Sequence, residues 1–471
     1  MENNTKKKKV KIRERVVITG IADKGKAVGR DADGMIVFVE NAAPGDIVDV
    51  KLHKEKSGYS EGATIKVHEY SPDRVEPFCE HFNLCGGCRW QHITYESQLR
   101  HKQDLVENAF KHLAKVPVQE WQPIMGCVEN TFYRNKLEYT FSNKRWLTHE
   151  EVLSSMSNRE DVLGFHRPGA FDKILDVRKC WLQPDPSNAI RNTIKAIAIE
   201  QGLSFYDLKE QRGYMRHIMI RTTSLGEIML IVSFHYQDVE KQTKFLDAVL
   251  AAFPEITTLL YCINFKVNDY VLDLNMHVYH GKGFIEEKLG DVSFHIGPKS
   301  FFQTNTKQAE RLFDTVVDFA DFNGTENVYD LYTGIGSIAL YIAKHVKHVV
   351  GIEEVAPAIA DAKENAQRNN LLNTTFYAGD VKNILTTEFA EKHGKPDILI
   401  TDPPRAGMHP AVVPMLLQLE APKLIYVSCN PATQARDIAI LHEKYDVIKV
   451  RPVDMFPHTH HVENVALLHL R

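Results

Sequence analysis

The chain has 471 residues, too many for one ordinary hydrophobic core, so two or three domains are expected. Its 44% hydrophobic and 25% charged residues exclude a disordered chain, and a net charge of −4 excludes blanket affinity for polyanions. No apolar run approaches the ~18 residues of a membrane span, and no apolar core follows the charged N-terminus as a signal peptide requires. Seven cysteines, an odd number with three close together, predict reduced thiols in a cytoplasmic protein and not a disulfide framework.

Residues 1–14 read as a basic tail. Lys6, Lys7, Lys8, Lys9, Lys11 and Arg13 oppose only Glu2 and Glu14. Such a tail is either simply solvated or adds non-specific attraction to phosphate. Residues 15–72 alternate in short runs, VVITGIA, MIVFVENA, DIVDVKLHK and EGATIKVHEY, with Gly25, Gly29, Gly34 and Gly45 at turn positions. Short strands at this density predict a small closed barrel of the OB type. Gly20 to Val28 and the Pro44-Gly45-Asp46 turn resemble the TRAM domain, a barrel found on RNA-modifying enzymes.

Residues 73–93 carry Cys79, Cys85 and Cys88 around Gly86-Gly87, and Cys180 follows about ninety residues later. Three soft ligands at this spacing, with glycines permitting a tight turn, point to a metal or cluster site. Four thiolates suit tetrahedral zinc or an iron–sulfur cluster equally. The spacing differs from the C-x3-C-x2-C of radical enzymes. Cys79-x5-Cys85-Gly86-Gly87-Cys88 followed by Trp90-Gln91-His92 resembles the iron–sulfur branch of the bacterial RNA (uracil-5)-methyltransferases. The resemblance implies a [4Fe–4S] cluster in preference to zinc, with Cys180 as the distant fourth ligand.

Residues 94–116 predict one helix packing on the catalytic domain, with Leu99, Val106, Ala109, Phe110 and Leu113 on one face and charge opposite. Residues 117–290 predict a central α+β domain that contains Cys180, with helices near Asn188–Glu200 and Lys241–Ala252. Arg134, Lys136, Arg167, Arg216 and Arg221 fall on β elements, where they are either solvated strand charges or a set of phosphate contacts. Cys127 and Cys262 sit in apolar surroundings and read as core residues.

From residue 291 to 471 strands and amphipathic helices alternate, predicting a mostly parallel sheet covered on both faces and ending in an antiparallel hairpin. That is the arrangement of class I S-adenosylmethionine (SAM) methyltransferases. Ligands bind such sheets at the carboxyl ends of the strands. Gly334 and Gly336 follow the first strand, Glu353 ends the second seventeen residues after Gly336, Asp380 the third and Asp402 the fourth. Glu353 is placed to accept both ribose hydroxyls. No GxGxxG and no basic residue for a 2′-phosphate accompanies them, which disfavours NAD(P).

The fifth strand, KLIYVS, ends at Cys429, either a small core residue or a nucleophile. Asp402-Pro403-Pro404-Arg405 resembles the motif of amine methyltransferases, but Arg405 replaces their base-stacking aromatic. A ring-carbon target is then favoured. C5 of uracil becomes nucleophilic when a thiolate adds at C6, and a base must afterwards take the C5 proton. DPPR, SCNP, H-T-x-H-x-E and Ser300-Phe301-Phe302-Gln303-Thr304-Asn305 match the RNA (uracil-5)-methyltransferases in order and spacing. The resemblance implies Cys429 as nucleophile and Glu463 as general base. It implies Gln303, Tyr332, Gly334, Glu353, Asp380 and Asp402 as SAM ligands, with Ser337 added. Thr333 and Ser337 depart from the Cys and Asn that relatives often carry. Arg134, Lys136, Arg167 and Arg405 are the candidate RNA contacts. The implied substrate is RNA, with 23S ribosomal RNA ahead of transfer RNA; no membrane and no obligate protein partner is implied. The competing reading is a non-catalytic RNA-binding or ribosome-assembly factor.

Overall fold

The computed structural model describes residues 11–22, 25–168 and 170–471. Lys6, Lys7, Lys8 and Lys9 of the basic tail lie outside the described residues. Five strands, β1 (Ile12–Ile21), β2 (Ala27–Arg30), β3 (Ile36–Glu40), β4 (Ile47–Glu55) and β5 (Tyr59–Glu69), close a barrel in the order β1-β2-β3-β5-β4. Alternation turns Val16, Ile18, Val37, Val39, Val48 and Val50 inward to fill it. The sequence runs show four strands; β2 is the fifth, too short for alternation to reveal.

The helix Tyr95–Ala109 starts at Thr94, whose hydroxyl accepts from Ser97 N–H. It continues through a further turn over Phe110–Ala114. Val106 and Phe110 join the core of the C-terminal domain, whereas Leu113 is exposed. Ser97, Gln98 and Lys102 are fully buried, so this inward face is partly polar. Next, β6 (Val118–Trp121) pairs parallel with a strand of the C-terminal sheet, although it lies in the stretch 117–290.

The central sheet takes β7 (Lys136–Ser142), β8 (Val162–Arg167), β9 (Ala170–Asp176), β10 (Met215–Thr222), β11 (Ile228–Phe234), β12 (Thr258–Ile263) and β13 (His277–Gly281) in the order β13-β12-β11-β10-β7-β8-β9. Helices Ser187–Glu200 and Val239–Ala252 lie close to the predicted stretches. Ile218, Ile220, Leu230 and Val232 pack in the central core with residues of both helices. Met219, Met229 and Ile231 on the opposite face enter the core of the C-terminal domain. One sheet therefore serves two cores, which fixes the domains against each other.

A hairpin, β14 (Ile285–Leu289) and β15 (Val292–Ile296), leads into the catalytic sheet. That sheet contains β16 (Asn327–Leu331), β17 (His348–Glu353), β18 (Thr374–Ala378), β19 (Ile398–Thr401), β20 (Lys423–Ser428), β21 (Tyr445–Val453) and β22 (Glu463–Leu470) in the order β18-β17-β16-β19-β20-β22-β21-β6. β22 runs antiparallel to both β20 and β21. The order reverses between β16 and β19, the switch point at which such sheets open a crevice. Among the described residues no helix is long and apolar enough to cross a membrane.

Candidate active site

The loop after β16 is held open by its backbone. Tyr332, Gly334 and Gly336 have φ of 63°, 59° and 81°, and a Cβ on Gly334 would meet no protein atom within 4 Å. The loop thus turns a bare backbone toward free space, as close approach of a ligand requires. Glu353 at the end of β17 accepts from Gly334 N–H at 3.1 Å and from Val355 N–H at 2.9 Å, which presents its carboxylate beside that space. Asp380, after β18, caps the helix Val381–Ile384 and pairs with Lys382 Nζ at 2.7 Å, which holds its carboxyl below the usual range. Burial pushes the Tyr332 hydroxyl up to about 12, with Asp380 and Glu353 among the charges nearby. Gln303 is set by the central domain: Asn135 donates to its carbonyl at 2.9 Å and to Thr306 Oγ1 at 2.9 Å. Ser337 opens the helix Ser337–Ile342 after Gly336.

Cys429 and Glu463 are brought together by strand register. Ser428 on β20 pairs with Asn464 on β22, so one step further sets Cys429 beside Glu463. Burial pushes the thiol up to about 11, and the Glu463 and Asp402 charges add to the shift. Burial also raises Glu463 to about 8, with Asp402 contributing, and raises Asp402 to about 7, with Asp330 contributing. Neither the Asp402 nor the Glu463 carboxylate has a hydrogen bond among the described residues to offset this. The charge opposing these shifts is Arg405, which lowers both Cys429 and Glu463. Burial holds His458 and His460 down at about 4 and His461 at about 3, so these rings are neutral near pH 7. Two desolvated carboxylates and a thiol at the carboxyl edge of a parallel sheet form a site suited to a cationic ligand and a proton transfer.

The segment between β21 and β22 is held from several sides. The carbonyls of five consecutive residues each accept a hydrogen bond: Asp454 from Cys127 Sγ (3.0 Å), Met455 from Asn305 (3.0 Å), Phe456 from Lys102 (3.1 Å), Pro457 from Tyr133 (2.9 Å) and His458 from Arg89 N–H (2.8 Å). Gln98 accepts from His458 N–H at 2.8 Å and donates to Trp90 and Ile93 carbonyls. His458 adopts φ 64°, a left-handed conformation that this network over-determines. The barrel reaches the same segment through Gly25, where a Cβ would fall 2.7 Å from His460 Cβ.

Residues 274–471 match the tRNA (uracil-5-)-methyltransferase family, and residues 7–65 match the TRAM domain. An uncharacterized RNA methyltransferase of Bacteroides thetaiotaomicron is 50% identical over 457 residues, covering 96% of this chain and 100% of the relative. One from Chlorobaculum tepidum is 40% identical over 458 residues, covering 96% and 95%. The chain belongs to the RNA (uracil-5)-methyltransferase family. Among solved structures, the Pyrococcus abyssi tRNA (uracil-54, C5)-methyltransferase in complex with S-adenosyl-L-homocysteine superposes with a TM-score of 0.75 at 27% identity. The overlap covers 97% of this chain and 99% of that one. The protein is thus a SAM-dependent RNA methyltransferase with an N-terminal TRAM barrel.

In this methyltransferase Cys79, Cys85, Cys88 and Cys180 line one cavity of about 400 Å³ between the cysteine segment and the central domain. Burial pushes Cys85 up to about 11 and Cys88 to about 12, and Cys79 and Cys180 add to both shifts. Among the described residues no group of three or more His, Cys, Asp or Glu is set to hold a metal ion. Arg167 donates to the Asn83 and Leu84 carbonyls, both at 2.7 Å, and so braces the cysteine segment.

Two other basic residues are spent internally. Arg216 is buried and donates to the Asn264 carbonyl and to Asp269, and Arg221 is buried and donates to Ser300 O at 2.8 Å. Reading these two as phosphate contacts is corrected: they bind the backbone of loops, one of them leading to Gln303. Lys136 pairs with Glu138, and Arg134 lies over the Phe456 ring. Arg405 is exposed beside the thiol. Sequence reasoning missed Gln98 and Lys102, because a helix face with a lysine on it reads as solvated, and Asp454, which lies just past the end of β21.

Proposed function

We propose that this methyltransferase forms 5-methyluridine in RNA, with 23S ribosomal RNA as its substrate. The observation that carries the C5 chemistry is the β20–β22 register, which sets Cys429 beside Glu463 at the edge where the Gly334 loop, Glu353 and Asp402 also end. The Cys429 thiolate adds to C6 of the uracil, and the electron pair of the 5,6 double bond shifts toward C5. Bound SAM supplies an electrophilic methyl group there. Glu463, once ionised, takes the C5 proton; the 5,6 double bond re-forms and the C6–sulfur bond breaks, returning the thiolate. Arg405 stabilises the thiolate before attack and after release. Gln303, Tyr332, Gly334, Glu353, Asp380, Asp402 and Ser337 are the residues proposed to hold SAM. The target base must leave its stack to reach a half-buried thiol.

We further propose that Cys79, Cys85, Cys88 and Cys180 hold a [4Fe–4S] cluster. Support comes from the cavity that the four thiols share, and a cluster would meet each thiolate with a separate iron. Such a cluster would cross-link the cysteine segment to the central domain. Transfer RNA is the second reading. It is favoured by the archaeal tRNA enzyme, which this chain matches along its whole length, barrel included. Release of tritium from C5-labelled 23S and transfer-RNA transcripts separates the two. Release from the ribosomal transcript alone supports the first, and release from transfer RNA alone replaces it.

A further inference from the structure

A crevice of about 620 Å³ opens where the barrel meets the cysteine segment, sharing Cys79 and Phe82 with the cysteine cavity and lying apart from the SAM edge. Its walls include Asn41, Tyr70, Arg74, Glu76, Phe82 and His92. Nothing in the reaction above uses it. We propose that this crevice binds an unpaired nucleobase of the substrate RNA; the inference rests on the RNA-substrate reading.

Its chemistry fits a neutral, flat, polar ring. His92 is 7% exposed and its Nε2 lies 3.1 Å from the Ala42 carbonyl, so Nε2 carries the proton and Nδ1 is left as an acceptor. That Nδ1 is itself buried, so His92 lends the crevice wall its ring and no free polar atom. The Phe82 ring lies 5.4 Å from the His92 ring, and Tyr70, 71% exposed, stands on the outer wall beneath Arg74. Exposed aromatic rings beside arginine are the surfaces on which single-stranded bases stack.

Charge argues against a phosphate. Arg74 is already paired with buried Asp46 at 2.7 Å, and Glu76 adds a negative wall. A volume within the range of small-ligand sites leaves room for a base and its sugar. The crevice wall is linked to the segment that precedes Glu463. Phe78, between crevice residues Pro77 and Cys79, sits 5.1 Å ring to ring from His458, on the segment that leads to Glu463.

The test is ultraviolet crosslinking of the full-length protein to total RNA from cells lacking it, with nucleotide adducts mapped by mass spectrometry. Methylation kinetics of Tyr70→Ala and Tyr70→Phe on the same RNA accompany it. Adducts on peptides bearing Tyr70, Phe82 or His92 are expected. Tyr70→Ala is expected to raise KM for RNA about tenfold with kcat and salt dependence unchanged, and Tyr70→Phe to restore it. Adducts elsewhere but none here, with normal KM in Tyr70→Ala, overturn the crevice and leave the RNA reading intact. A flatter salt dependence in Tyr70→Ala would make it a phosphate contact and also overturn it. No adduct and no methyl transfer to any RNA removes the RNA reading itself, and the crevice with it.

Discussion

Lys102 and Asp454 form an ion pair of 2.6 Å in which neither side chain is exposed to solvent. Tyr95 donates to the other carboxylate oxygen at 2.7 Å, and Lys102 also donates to the Phe456 carbonyl. Tyr95 and Lys102 are seven residues apart and share one face of their helix, with Gln98 between them. That face grips the segment which carries His458 and leads to Glu463. The pair joins a helix outside the catalytic sheet to the placement of the proposed base.

Removing one partner should therefore cost more than removing both. Lys102→Met leaves Asp454 buried without its counter-charge, a loss of about 3–5 kcal/mol in unfolding free energy by urea denaturation. Lys102→Met combined with Asp454→Asn should recover part of that loss. A double variant no more stable than the single one would show that the pair contributes little beyond packing.

The legibility of this site follows from what leaves a mark in residue type. Strand ends do: Glu353, Asp402 and Cys429 each stand where an apolar run stops at a polar residue, and the parallel order follows from the helices between strands. Contacts to backbone carbonyls do not. Any donor serves a carbonyl, so the bonds from Tyr133, Asn305 and Cys127 to residues 454–457 had no signature. Buried cations fail for a related reason. Lys102, Arg216 and Arg221 read as surface charge because only the fold shows their partners. β6 was hidden because four residues added to a sheet edge carry little periodicity.

Cys429→Ala should abolish methyl transfer while binding of S-adenosyl-L-homocysteine, measured by calorimetry, stays within about twofold, since the thiol meets the base and not the ligand loops. Glu463→Gln keeps the nucleophile but removes the proton acceptor, so a covalent protein–RNA adduct should accumulate as a slow band on denaturing gels. A fully active Cys429→Ala protein would sink the mechanism.

Arg405 is the group that opposes the rise in both Cys429 and Glu463. Arg405→Met should push both groups further up and move the rising limb of the pH–rate profile to higher pH. Alkylation of Cys429 by iodoacetamide should slow in the same variant, because the thiolate is the reactive form. An unchanged profile with a raised KM for RNA would assign Arg405 to phosphate contact alone.

Anaerobic purification should yield brown protein with about four irons per chain, as expected for a cubane held by four thiolates. Cys180→Ser should lose the colour and loosen the cysteine segment from the central domain, seen as faster amide exchange over residues 79–92. Colourless protein with one zinc per chain would replace the cluster by a single ion.

The buried carboxylates also set how stability varies with pH. Burial raises Asp330 and Asp402 to about 7 and Glu463 to about 8 in the folded protein, against about 4 in the unfolded chain. Between these values the folded state holds more protons than the unfolded one, so stability falls as pH rises. Their contribution is fully present below about pH 4 and is lost as pH climbs through about 7 and 8. Catalysis needs the opposite state, because Glu463 must be ionised to take a proton. The urea midpoint of the ligand-free protein should therefore drop between about pH 5.5 and about pH 8.5 while the single-turnover rate rises. Asp402→Asn removes the neighbouring charge that raises Glu463, so it should flatten the first trend and shift the second to lower pH in whatever activity remains. A urea midpoint independent of pH across that window would mean that these carboxylates ionise as freely in the folded protein as in the unfolded one.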